Sequence, residues 1–383
     1  MGRRIKARFI AGKQEKYRAK YTAPRLPPRL SPRNVRAFAA AQTMSTPDPE
    51  FELQARARQA QLTKPPGALG RLEDIACWFA ARQKRAVPKK LVTAITIFAG
   101  DHGVVAEGVS AFPSVVTGEM VKNFARGGAA INVLARNIDA RLTVVDAGVA
   151  SDMSAVRGIV HCNLRRGTAN LVQGPAMTRN EAERAIALGR VQARADIAHG
   201  ANLLIAGEMG IGNTTASACL ICAFTGAAAE AVVGSGTGVD DAGRARKIDA
   251  VRRGLARAGD VSQDALSALA EVGGLEIAAM TGYYLEAAEA GVPALLDGFI
   301  STAAALAAQA FVPSVTDWLL ASHLSLENGH RIALEKLGLA PLIDLQMRLG
   351  EGSGAALVVT LLQAALKLHA EMATFTEAGV SAG

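Results

Sequence analysis

The chain has 383 residues, half of them hydrophobic and a fifth charged, with a formal charge of +8, which excludes a disordered polymer and suffices for one large domain or two around a substantial core. The basic excess is confined to one end: residues 1–43 hold twelve Lys/Arg against a single acid, Glu15, while the rest carries 30 bases and 33 acids. A nucleic-acid-binding face on the folded body is therefore not expected.

Residues 1–43 contain Pro24, Pro27, Pro28 and Pro32 and few large apolar side chains, too little to bury a core, so they read as a disordered basic tail. The tail lacks the apolar run of a signal peptide and only loosely resembles an organellar transit peptide. Met44-Ser45-Thr46-Pro47-Asp48 looks like an ordinary protein start, so an overextended reading frame explains the tail better than a nucleic-acid-binding arm. Cys77, Cys162, Cys219 and Cys222 make no disulfide framework in a chain of this size. Cys219 and Cys222 share one face of an apolar helical run and read as core thiols. The nearest approach to a membrane-length apolar stretch, 216–234, is broken by Gly226 and Glu230. A cytoplasmic protein without a membrane partner is expected.

From 48 to 83 the pattern is helical, interrupted at Pro65-Pro66-Gly67 by a connector that must be rigid. A β-branched run at 91–98 predicts a strand apolar on both faces, as in a covered parallel sheet, whose carboxyl end delivers Asp101 and His102. A second strand is expected at 141–148. A helix at 178–199 leads to a third strand at 202–206, and a fourth at 293–299 precedes a helix at 301–311. Strands alternating with helices predict an α/β fold, a doubly wound and mostly parallel sheet with helices on both faces. The expected division is a large nucleotide-binding unit at 86–324 and a smaller helical domain built from 48–85 and 325–375.

Five sites carry candidate chemistry. In Arg348-Leu349-Gly350-Glu351-Gly352-Ser353-Gly354, one carboxylate stands among glycines whose backbone can approach a ligand closely. The helix expected at 355–368 would aim free N–H groups at the same loop; the plainer alternative is a tight turn with a solvated acid. Gly207-Glu208-Met209-Gly210-Ile211-Gly212-Asn213-Thr214-Thr215 offers backbone donors and hydroxyls to a phosphate. It is neither a Walker A loop nor a G-x-G-x-x-G fingerprint, so NAD and ATP are disfavoured, and an unliganded helix cap remains the alternative. A second glycine-rich turn at 234–238 runs into a basic helix carrying Lys247. His323, Glu327 and His330 imitate a metal site only if Asn328-Gly329 leaves their helix unbroken, so no metal is expected. Asp101 with His102 reads as a positioning pair rather than an acid/base pair.

The segments at 207–215 and 348–354, together with Lys64-Pro65-Pro66-Gly67-Ala68-Leu69-Gly70-Arg71, Asp101-His102-Gly103-Val104 and Leu295-Leu296-Asp297-Gly298-Phe299, resemble the nicotinate-nucleotide:dimethylbenzimidazole phosphoribosyltransferase family over about residues 50–375. The resemblance implies transfer of the 5-phosphoribosyl group of nicotinate mononucleotide to a benzimidazole, no cofactor or metal, and a homodimer. It implies Glu351 as general base within Leu349, Gly350, Gly352 and Ser353. The phosphate is implied at Glu208, Met209, Gly210, Ile211, Gly212, Asn213, Thr214 and Thr215, with Gly298, Phe299, Ser322 and Lys247. Glu208 is assigned to the developing charge on the ribose. The base pocket is implied at the segment after Asp101, with Phe112, Pro113 and Met120. Relatives carry small or polar residues where Phe112 and Met120 stand, which leaves the preferred base open. The rival readings are a catalytically silent nucleotide sensor on the same fold and, from the fold alone, a dinucleotide-dependent oxidoreductase.

Overall fold

The computed structural model describes residues 44–236 and 238–381; the expected tail at 1–43 lies outside the described residues. The chain runs α1 (Pro49–Gln59), α2 (Arg71–Gln83), β1 (Thr93–Gly100), α3 (Val115–Arg126), α4 (Ala130–Asn137), β2 (Arg141–Gly148) and β3 (Val160–His161). There follow α5 (Arg179–Ala198), β4 (Leu203–Met209), α6 (Asn213–Thr225), α7 (Ala229–Val232), α8 (Asp241–Ala258), α9 (Ala265–Val272) and α10 (Leu275–Glu289). The last elements are β5 (Ala294–Leu296), α11 (Phe299–Phe311), β6 (Leu319–Ala321), α12 (Gly329–Leu337), α13 (Ser353–Glu371) and α14 (Phe375–Ala378).

The strands form one sheet in the order β3-β2-β1-β4-β5-β6, and every pairing is parallel. β1 pairs with β2 from Ala94↔Arg141 onward and with β4 from Thr93↔Leu203 to Ala99↔Met209. Between β1 and β4 the strand order reverses. There the loops at the carboxyl ends part in opposite directions and leave a crevice. The four strands expected from sequence are present as β1, β2, β4 and β5. Strands β3 and β6 have two and three residues, too short to show a period of two.

Side chains alternate between two helical layers, as the pleat requires. Ala94 and Phe98 of β1, Leu204 and Ala206 of β4 and Leu296 of β5 pack in one apolar cluster with Ala185, Leu220, Tyr283 and Ala304. Their neighbours Ile95, Ile97, Leu203, Ile205 and Leu295 pack on the other face with Phe79, Val121, Ile131, Val358, Val359 and Leu362. Helix α13 therefore lies directly on the sheet. Its 19 residues have the length and mean hydropathy, 1.3, to cross a membrane, and 56% of its most apolar 18-residue window is buried within the protein. The apolar run at 216–225 is likewise a core helix, α6.

The segments before β1 and after α12 touch: Arg58 Nε donates to the His369 carbonyl at 2.8 Å and Leu62 pairs with Thr374. Helix α12, within 325–375, packs instead on the opposite layer, against α11 and α6. The Pro65-Pro66-Gly67 connector is held by a buried pair, Lys64 Nζ to Glu73 Oε1 at 2.7 Å, with the Leu69 amide on the same oxygen at 3.0 Å.

Candidate active site

Three chain segments converge at the reversal of strand order, and glycine permits each approach. Gly207 in β4 faces the loop before α13: a Cβ there would lie 2.5 Å from the Glu351 carbonyl oxygen. In that loop Gly350, Glu351 and Gly352 all take left-handed backbone angles, with φ of 79°, 63° and 80°. Such a conformation costs a non-glycine residue roughly 1 kcal/mol. Asp297, at the end of β5, offsets it by accepting the Gly352 amide on Oδ2 at 3.1 Å and the Ala355 amide on Oδ1 at 3.0 Å. The start of α13 has no cap from its own sequence, so Asp297 supplies one from across the sheet edge.

Glu351 is thereby held almost fully buried at the cleft. Burial pushes its pKa up, the Ile131 amide works against that, and the Asp297 charge adds to it. Its Oε2 has no hydrogen-bond partner among the described residues. Glu208 closes the same wall. Burial first, then the charges of Asp297 and Glu276, push its pKa up to about 8, against the Asn213 amide that donates to it. A Cβ on Gly350 would sit 2.2 Å from Glu208 Oε1, so a side chain there would displace the Glu208 carboxylate.

The cleft has a volume of about 570 Å³. One end is apolar, with Phe112, Val116, Met120, Met209 and Ile211; Phe112 is half exposed. The other end is polar, with Thr214, Gly236, Glu327 and Arg348. Just behind it Lys247 is buried, its Nζ donating to Thr214 Oγ1 at 3.1 Å and to the Gly234 carbonyl at 3.4 Å. Burial lowers the Lys247 pKa and the Glu327 carboxylate opposes that fall. Because Thr214 accepts from Lys247, its hydroxyl hydrogen is left for a ligand oxygen. Arg348 Nη1 ties the glycine turn at 234–238 to the loop before α13 by donating to the Gly236 carbonyl at 3.1 Å.

Of the residues singled out from sequence, Glu351, Glu208, Phe112, Met120, Met209, Gly210, Ile211, Asn213, Thr214, Gly298, Phe299, Leu349 and Gly350 line this cleft. Lys247, Gly212, Thr215, Gly352, Ser353 and Ser322 stand behind the lining. Gly352 serves Asp297 through its amide, and Ser322 Oγ bonds the Asp297 carbonyl at 3.2 Å. Pro113 is an exposed residue ahead of α3. Asp101 is buried away from the cleft: Oδ2 accepts the Ala150 amide at 2.8 Å, and its carboxyl bonds Thr117, whose Oγ1 accepts the Ile211 amide at 3.1 Å. It braces the Gly210–Gly212 turn from behind.

Sequence reasoning missed Asp297, Arg348, His323, Ser325 and Glu327 in the lining. Asp297 and Arg348 lie in the glycine-containing motifs at 295–299 and 348–354, where nothing in the local sequence marks them as lining residues. His330 is a core histidine, since Nδ1 accepts the Ser325 amide at 2.8 Å and Nε2 meets Thr302 Oγ1 at 2.9 Å. Burial and the neighbouring His323 push its pKa down to about 3. Among the described residues no group of three His, Cys, Asp or Glu is arranged to hold a metal ion.

A parallel sheet with a glycine-lined, acid-rich cleft at its reversal point, polar at one end and apolar at the other, suits a transferase that joins a phosphorylated sugar to a flat base. Residues 44–380 match the phosphoribosyltransferase family model, and the protein is an enzyme of that class. The nicotinate-nucleotide–dimethylbenzimidazole phosphoribosyltransferase of Chromobacterium violaceum is 64% identical over 327 residues, 85% of this chain and 95% of the relative. That of Thermus thermophilus is 55% identical over 337 residues, 88% of this chain and all of the relative. The crystal structure of CobT from Thermus thermophilus superposes with a TM-score of 0.85 at 54% identity, covering 88% of this chain and all of that one. The chain belongs to the nicotinate-nucleotide–dimethylbenzimidazole phosphoribosyltransferase family of cobalamin synthesis.

Proposed function

We propose that this enzyme transfers the 5-phosphoribosyl group of nicotinate mononucleotide to 5,6-dimethylbenzimidazole or a related base, giving α-ribazole 5'-phosphate and nicotinate, with Glu351 as general base. The observation that carries this reading is the Glu351 carboxylate, fixed in a left-handed loop with one buried oxygen unpartnered at the cleft. One ring nitrogen of the base attacks the anomeric carbon while the other loses its proton to Glu351. The two carboxylates divide the work by environment. Burial and neighbouring acids push the Glu208 pKa up to about 8, which favours its neutral form before substrate binds, and the proton acceptor is assigned to Glu351. A bound pyridinium nucleotide brings positive charge beside Glu208 and favours its ionised form, which then stabilises the oxocarbenium character of the ribose.

The phosphate falls at the polar end, on Thr214 and the start of α6 with Lys247 behind, and the base at Phe112, Val116 and Met120. Nicotinate leaves as a neutral pyridine nitrogen, which needs no acid. Attack from the face opposite the leaving group inverts the β-nucleotide to an α-riboside. The protein is read as a cytoplasmic homodimer. The test is incubation of the purified protein with nicotinate mononucleotide and dimethylbenzimidazole, following nicotinate and the riboside phosphate by chromatography. Nicotinate release without base, or no riboside phosphate with any benzimidazole, purine or phenol, would count against the reading.

A further inference from the structure

Beneath the Gly210–Gly212 turn, on the side away from the cleft, His102 Nε2 and Glu276 Oε1 are 2.5 Å apart and both side chains are buried. His102 follows β1, and Glu276 stands in the first turn of α10. Four glycines make the space they occupy. A Cβ on Gly274 would lie 2.4 Å from His102 Cε1, and one on Gly100 would lie 2.9 Å from Glu276 Oε2. On the cleft side, a Cβ on Gly210 would lie 2.3 Å from the Gly100 carbonyl oxygen and 3.4 Å from both Nε2 and Oε1. One on Gly212 would lie 3.2 Å from His102 Cβ. The turn therefore rests on the bonded atoms of the pair with no side chain between.

A buried carboxylate without a partner is strongly destabilising, and a charge-assisted bond to an imidazole is stronger than a neutral one. Burial works against a charged imidazole, yet Glu276, helped by Asp101, holds the His102 pKa above its ordinary value. Neither residue lines the cleft, so neither has a direct part in the chemistry. We propose that His102 and Glu276 are a positioning pair for nucleotide binding: they set the height of Gly210 and Gly212, and through them the placement of Asn213, Thr214 and Glu208. This inference deepens the phosphoribosyl reading and rests on it.

The test is steady-state kinetics of the full chain against both substrates separately. In His102→Ala and Glu276→Ala the turn loses its support, and KM for nicotinate mononucleotide rises about tenfold or more while KM for the base moves less than about twofold. Glu276→Gln keeps an oxygen for the imidazole N–H and recovers most of the nucleotide affinity. Tyr283→Phe, which removes a buried hydrogen bond to Asp196 at 2.9 Å about two helical turns along α10 from Glu276, is the reference for destabilisation alone and leaves the ratio of the two KM values unchanged. If the alanine variants do not fold, His102→Gln and Glu276→Gln carry the same comparison, with a selective rise of about threefold expected. Equal changes in both KM values, or no change in either, overturn the positioning pair while leaving the reaction intact. Failure of the unaltered protein to bind nicotinate mononucleotide removes the phosphoribosyl reading, and the inference with it.

Discussion

Asp297 and Glu351 are joined through the backbone: the Asp297 carboxylate accepts the amides of Gly352 and Ala355, just after Glu351, and its charge helps to raise the Glu351 pKa. One side chain thus helps to fix where the Glu351 carboxylate sits and adds to the effect of burial on its proton affinity.

Glu351→Gln removes the acceptor and keeps the shape. We expect kcat to fall roughly 10²- to 10⁴-fold with nucleotide affinity changed by less than about threefold. Calorimetric binding alongside the chromatographic assay reads both quantities, and turnover near that of the unaltered protein would remove Glu351 from the base role.

Gly350→Ala meets two obstacles, a φ of 79° and the Glu208 oxygen at 2.2 Å. Gly200 has a φ of 91° with nothing within 4 Å, so Gly200→Ala isolates the strain. Both variants should lose about 1–2 kcal/mol of stability, and only Gly350→Ala should lose kcat, by about tenfold or more. Thermal melts and kinetics of the two decide it; equal activity would mean that Glu208 moves aside at no catalytic loss.

Glu208 imposes a pH dependence on stability. Its folded pKa, about 8, lies above the ordinary 4.5, so the folded state holds the proton more tightly than the unfolded chain. Its contribution is complete below about pH 4.5 and is lost as pH rises through about 8, amounting to up to about 4 kcal/mol. Glu208→Gln, always neutral, should lack this decline. Chemical denaturation at pH 5 and pH 9 gives the comparison, and parallel losses in both proteins would sink the assignment.

Lys247→Ala tests the polar end. Nicotinate mononucleotide should bind about 10- to 100-fold more weakly, whereas nicotinate riboside, lacking the phosphate, should bind both proteins alike. An equal loss for the two ligands would make Lys247 a support for Thr214 and nothing more.

Much of this was legible in the sequence because glycine and β-branched runs leave local signatures. The run at 91–98 could only be a strand covered on both faces, and the glycines around Glu351 and Gly210 marked backbone that must pass close to something. What lay out of reach was what each glycine approaches, since that is decided across the sheet. Nothing near Gly207 names Glu351 as its neighbour, and nothing near Gly100 or Gly274 names the His102–Glu276 pair. Asp297 was visible as a strand-end acid, but its role as the cap of α13 depends on an amide more than fifty residues away. The place of α13 on the sheet likewise follows from packing against Ile95, Ile205 and Leu295.

The cap that Asp297 places on α13 also has a consequence for biosynthesis. A chain emerges from the ribosome amino end first, and its earlier parts can begin to fold before the later ones appear. The sheet's central strands and the phosphate turn are complete by residue 215, but the amides that Asp297 requires are at Gly352 and Ala355. Until α13 docks, the floor of the cleft is a cluster of acids without the donors that order it. A chain terminated just before residue 350 has every described strand of the sheet and still lacks the loop at 350–352, so the cleft is complete only when the C-terminal helix is made.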